Sequence, residues 1–146
     1  MPAKVSEYMT RKVISVSPEK GVREAYFLMR DEGIRHLPVT EDGVLVGIIS
    51  DRQLRRPNWA DETPDIAHQY DVSDSLNVGD VMVREVIVAH TYQTLGKAVD
   101  AIVENQVGAL PVLDKNEELV GMLSAVDLLT AFGDYLKHQK NLKRVS

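Results

Sequence analysis

Apolar and polar positions along this chain follow two periods, and they do so twice. Val22, Ala25, Tyr26 and Met29 fall at i, i+3, i+4 and i+7, and so do Leu95, Ala98, Val99 and Ile102; this spacing lines one face of an α-helix. Ahead of each set lies a short β-branched run, VISV or VIVA. Behind each lies an extended segment, IRHLPV or VGALPV, in which the residue before proline is biased away from helix. Asp42-Gly43 between two apolar runs predicts a tight hairpin turn. A glycine then leads a run ending in serine, LVGIIS or LVGMLS, and a second helix follows.

Each copy therefore predicts strand, helix, strand, strand, helix. An offset of 73 residues lays MTRKVI on MVREVI and Leu37-Pro38-Val39 on Leu110-Pro111-Val112. One extra residue in the next turn makes the offset 74, and Ser50 then meets Ser124. The chain is an internal duplication. A repeat of about 60 residues is marginal for burying a sheet face and its helices alone. The expected fold is α+β, with two β-α-β-β-α repeats packed about a pseudo-twofold axis and two related clefts between them. The expected boundaries are 1–56 for the first repeat, 57–76 for an acidic linker, 77–138 for the second repeat and 139–146 for a basic tail. The linker is expected to hold a short helix around DIAHQY, with Trp59 either anchoring it or facing a partner.

Composition narrows the function classes. The chain has 146 residues, 44% of them hydrophobic, and no cysteine, which excludes disulfides, thiolate metal sites and cysteine nucleophiles. No apolar run approaches the roughly 20 residues of a membrane span, and MPAKVSEYMTRKV lacks a signal-peptide apolar region, so the expected location is the cytoplasm. The net charge of −5 is uneven: KHQKNLKRVS at the end holds four bases and no acid. Such a tail contacts an anionic partner or is the solvated end of a helix. The acidic body argues against broad nucleic-acid binding.

Catalytic patterns are missing. The four histidines lie too far apart for local metal-ligand spacing, Gly96-Lys97 lacks the earlier glycine of a phosphate loop, and GIISDR is no nucleophile elbow. No pair of carboxylates is singled out. The chain is expected not to be an enzyme.

The ordered set YMT, a helix with a central alanine, IRHLPV and LVGIIS, followed by VGALPV and LVGMLSAVDLL, resembles the CBS domain, whose tandem pairs are called Bateman modules. The resemblance covers nearly the whole chain apart from the joint and the tail. It implies a non-catalytic regulatory module binding an adenine-containing ligand (AMP, ADP, ATP, NAD or S-adenosylmethionine), with AMP foremost and no cofactor required. It also implies a homodimer that signals to a separate effector protein, with no membrane partner. The competing class is a protein-interaction module with no physiological nucleotide ligand.

The resemblance further implies two composite pockets, each pairing an S/T-x-x-D box of one repeat with the opening strand and proline segment of the other. A carboxylate there can accept from both hydroxyls of a ribose. Ser124 and Asp127 complete that box, and their implied pocket includes Thr10, Val13, Ile14, Ile34, His36 and Pro38. The opposite pocket joins Ser50 and Gln53 with Val83, Val86, Ile87, Val107, Ala109 and Pro111. It lacks both the acid and the threonine, and is expected to be degenerate. Serine and aspartate also cap helices, so Ser50 with Asp51, and Ser124 with Asp127, have a purely structural alternative.

Overall fold

The computed structural model describes residues 3–55 and 76–145; the expected helix around DIAHQY and the placement of Trp59 lie outside the described residues. The chain forms two compact units. The central unit is Ile14–Val86, and the terminal unit combines Met1–Val13 with Ile87–Ser146.

The central unit holds α2 (Val22–Glu32), β1 (His36–Glu41), β2 (Val44–Ser50), α3 (Asp51–Arg55) and α4 (Val78–Val81). The periodic residues Val22, Ala25 and Met29 are buried in one core with Leu37, Val39 and Ile49. Gly33 stops α2 with φ at 67°, a left-handed turn that glycine enters without Cβ strain. β1 and β2 pair antiparallel around Asp42 and Gly43, both at positive φ, the hairpin that Asp-Gly predicts.

The terminal unit holds α1 (Val5–Tyr8), β3 (Ala89–His90), α5 (Leu95–Asn105), β4 (Ala109–Leu113), β5 (Leu119–Ser124) and α6 (Ala125–Val145). Its core gathers Val5, Ala89, Ala98, Leu110, Val112 and Leu123. The three strands run in the order β3-β4-β5. Helix α6 continues to Val145, so the basic end of the chain is helical backbone.

Two details differ from the sequence expectation. The opening strand of the first repeat shrinks to one bridge: Val16 N–H donates to Pro38 O at 3.1 Å and Thr40 N–H to Val16 O at 2.9 Å. Pro18, two residues on, has no N–H with which to extend the ladder. In addition, each repeat opens with an unforeseen single helical turn, α1 or α4. Each turn is held by the acid at its third residue, Glu7 accepting from Lys4 N–H and Asp80 from Asn77 N–H.

These opening turns are exchanged. α1 belongs by sequence to the first repeat but packs in the terminal unit, while α4 of the second packs in the central unit. Thr10 exchanges both backbone hydrogen bonds with Met122 on β5, at 2.8 and 2.9 Å, and Val83 does the same with Ile48 on β2, at 2.9 and 3.0 Å. The glycine of each LVG run makes this possible. A Cβ on Gly121 would stand 2.8 Å from Met9 Sδ and 2.9 Å from Thr10 O, and one on Gly47 would stand 2.5 Å from Met82 Sδ.

Candidate functional site

The backbone bridge between Thr10 and Met122 sets Thr10 beside the start of α6, two residues from Ser124. There Ser124 and Asp127 form a reciprocal capping box. Ser124 N–H donates to Asp127 Oδ2 at 2.9 Å, and Asp127 N–H donates to Ser124 Oγ at 3.3 Å. The Thr10 hydroxyl donates to Asp127 Oδ1 at 3.5 Å, the outer limit of a hydrogen bond. Oδ2 is therefore committed to the helix cap, while Oδ1 is held loosely and remains able to accept from an arriving donor. Ser124 and Asp127 are both half-buried and Thr10 is exposed.

The central unit repeats the geometry with different atoms. Ser50 N–H donates to Gln53 Oε1 at 2.8 Å, the Ser50 hydroxyl lies 3.3 Å from the same oxygen, and Gln53 N–H donates to Ser50 Oγ at 3.2 Å. The amide oxygen caps the helix as the carboxylate does. What remains is an NH2 group, which donates and cannot accept. The residue in Thr10's place, Val83, brings no hydroxyl.

Thr10, Ser124 and Asp127 are thus brought together within the terminal unit, which also contains Val13. Ile14, Ile34, His36 and Pro38 belong to the central unit. His36 pairs with Ser50 across the β1–β2 ladder, and Pro38 is fully buried. Burial, and secondarily the cation of Arg35, lowers the His36 pKa against an opposing pull from Asp51. The imidazole is therefore neutral at pH 7. Ser50, Gln53, Val83 and Val86 lie in the central unit, whereas Ile87, Val107, Ala109 and Pro111 lie in the terminal one. A contact that the sequence did not announce is Tyr8 Oη donating to Asp134 Oδ2 at 2.7 Å. It ties α1 to α6 and raises the Tyr8 pKa, chiefly through that hydrogen bond.

A duplicated α+β unit that exchanges its opening turns, with a serine-led box at the start of each following helix, defines a class of tandem-repeat module. The family model for the CBS domain matches residues 5–57 and 78–134; the chain belongs to the CBS domain family. Among curated proteins it is similar to the uncharacterized protein MJ1225 of Methanocaldococcus jannaschii, at 31% identity over 131 residues, which is 88% of this chain and 46% of that protein. It is also similar to the inosine-5'-monophosphate dehydrogenase of Thermoplasma acidophilum, at 33% identity over 120 residues, 82% of this chain and 22% of the enzyme. The chain thus spans less than half the length of either. Among solved structures it resembles CBSX2 in complex with AMP, with a TM-score of 0.75 and 25% identity over 91% of this chain and 98% of that one. No described helix is long and apolar enough to cross a membrane.

Proposed function

We propose that the chain is a non-catalytic regulatory module that binds an adenine-containing ligand, AMP foremost, with the ribose held by Asp127. The observation that carries this reading is the Asp127 carboxylate, fixed by Ser124 on the first turn of α6 with Oδ1 beside the Thr10 hydroxyl. A ribose presents two adjacent hydroxyls, and an anchored carboxylate with free lone pairs accepts from both. The N-terminus of a helix of 21 residues favours the phosphate's negative charge. The Gln53 box is proposed to be altered. The AMP complex of CBSX2 supports the choice of ligand.

The proposed partner is a second copy of the chain, with a separate effector protein receiving the signal. α6 leaves Val126, Leu129, Phe132 and Leu136 exposed, at 69, 66, 56 and 50%. Nothing stands within 4 Å of where a Gly133 side chain would project. An antiparallel copy centred there sets Leu129 against Leu136 and Phe132 over Gly133, a self-complementary arrangement. Leu129→Asp with Phe132→Ser is expected to turn a sedimenting dimer into a monomer; an unchanged dimer refutes this face.

A thermal-shift panel of AMP, ADP, ATP, NAD and S-adenosylmethionine tests the ligand. A bound member at 100 times its Kd adds about 2.7 kcal/mol of stability. The AMP shift is expected with wild type and not with Asp127→Ala. No shift with any member would favour the interaction-module reading.

A further inference from the structure

The terminal unit contains an open surface pocket of about 540 Å³ lined by Lys4, Ser6, Met9, Arg11, Thr91, Tyr92, Asp114 and Val120. It lies at the opposite end of β5 from Ser124, some four residues or about 13 Å away. We propose that it is a second ligand site, distinct from the Asp127 box, for a free small molecule that carries a di- or triphosphate and a planar ring.

Its lining combines the features such a ligand needs. Met9 and Val120 give an apolar floor. Arg11 uses one guanidinium nitrogen on Ser6 O at 3.1 Å and retains further N–H donors. Lys4 adds a second, exposed cation, and Ser6 and Thr91 add hydroxyls. The Asp114 carboxylate is already engaged, its Oδ1 accepting from Asn116 N–H at 2.8 Å and Glu118 N–H at 3.0 Å. Tyr92 is 57% exposed, and its ring stacks on His90 with centroids 5.2 Å apart. His90 is in turn held by Glu117 at 2.9 Å. The phenol is thus braced from behind and offers its other face.

The duplication supplies an internal control. The central unit repeats the scaffold: Arg84 reaches Gly79 O at 3.3 Å as Arg11 reaches Ser6 O, and Gly79 N–H donates to Pro18 O as Ser6 N–H does to Thr91 O. The arginine–carbonyl bond therefore belongs to the fold. The other groups do not recur, because Asn77, Gly79, Pro18, Glu19 and Glu41 stand at the positions of Lys4, Ser6, Thr91, Tyr92 and Asp114. Pro18 closes on Gly79 so tightly that a Cβ there would meet it at 3.2 Å. Two cations and one acid in the terminal unit become one cation and two acids in the central unit, so the charge reverses where the shared structure does not require it.

Calorimetric titration of the full chain with pyrophosphate and with ATP tests this site, and pyrophosphate carries no ribose for Asp127 to hold. Saturable pyrophosphate binding is expected, weakened about tenfold or more by Lys4→Glu, retained by Lys4→Arg, and unchanged by Asp127→Ala or by Arg84→Glu in the central unit. Tyr92→Ala, at an exposed position, is expected to weaken ATP binding to an Asp127→Ala protein while leaving pyrophosphate binding intact. Absence of saturable pyrophosphate binding, or binding indifferent to Lys4→Glu, would overturn the proposal. So would capture of anionic-lipid vesicles through Lys4 without binding of free pyrophosphate. AMP binding that survives any of these failures leaves the Asp127 reading standing.

Discussion

The box at the start of α6 and the box at the start of α3 do the same structural job with different atoms. In both, a serine N–H is satisfied by an oxygen three residues on, and the serine hydroxyl accepts in return. A capping box asks only for that one oxygen, which a carboxylate or an amide can supply. The atom left over decides the chemistry. Asp127 keeps an anionic acceptor beside the Thr10 hydroxyl, while Gln53 keeps a neutral donor, and the apolar Val83 stands at the position of Thr10. Duplication thus preserved what folding needs in both copies and left the remaining atom free to diverge.

The comparison can be broken most severely at Asp127. Two charge-assisted bonds at about 1.5–3 kcal/mol each mean that Asp127→Ala should weaken AMP on the order of 100-fold or more, whereas Gln53→Ala should leave calorimetric affinity within about twofold. Next come the paired glycines. Gly47→Ala and Gly121→Ala each force a methyl into the opening segment, and each should cost about 1–3 kcal/mol in urea unfolding. Only Gly121→Ala, which pushes on Thr10, should weaken AMP as well.

Smaller and more symmetric effects are expected at the serines. Ser50→Ala and Ser124→Ala each remove a helix cap and should cost about 0.5–2 kcal/mol in the same assay, with only the second altering AMP binding. The mildest effect is on pH dependence. Burial lowers the folded pKa of His36, so the unfolded chain takes the proton first. Stability should therefore decline as pH falls below the unfolded value of about 6.5. His36→Gln should flatten that slope between neutral and mildly acid pH.

The duplication, its α+β class and the α2 core were legible because each rests on local periodicity: Val22, Ala25 and Met29 repeat at helical spacing and are buried as that spacing requires. The Asp42-Gly43 turn was legible because positive φ at both positions selects those residue types. The exchange of α1 and α4 was not. Nothing in VSEY or VGDV says which repeat's strand they join, since that depends on contacts distant in sequence. A trace did exist in the glycines, because Gly121 and Gly47 sit inside otherwise apolar strand runs and mark a close backbone approach. The residues of the Asp127 box could be named from S-x-x-D, but not the division of labour between Oδ1 and Oδ2, which arises only when Thr10 is brought beside α6. The Tyr8–Asp134 bond joins residues 126 positions apart and left no sequence signal.

The central claim is that one box per chain is chemically fitted to a ribose, and that two side chains make the difference. The most direct measurement is the calorimetric stoichiometry of AMP binding to the wild-type chain and to the double variant Val83→Thr, Gln53→Asp. The account predicts one AMP per wild-type chain and two per double variant, with the added site absent from the single variant Val83→Thr. Two sites in the wild type, or one in both proteins, would contradict it.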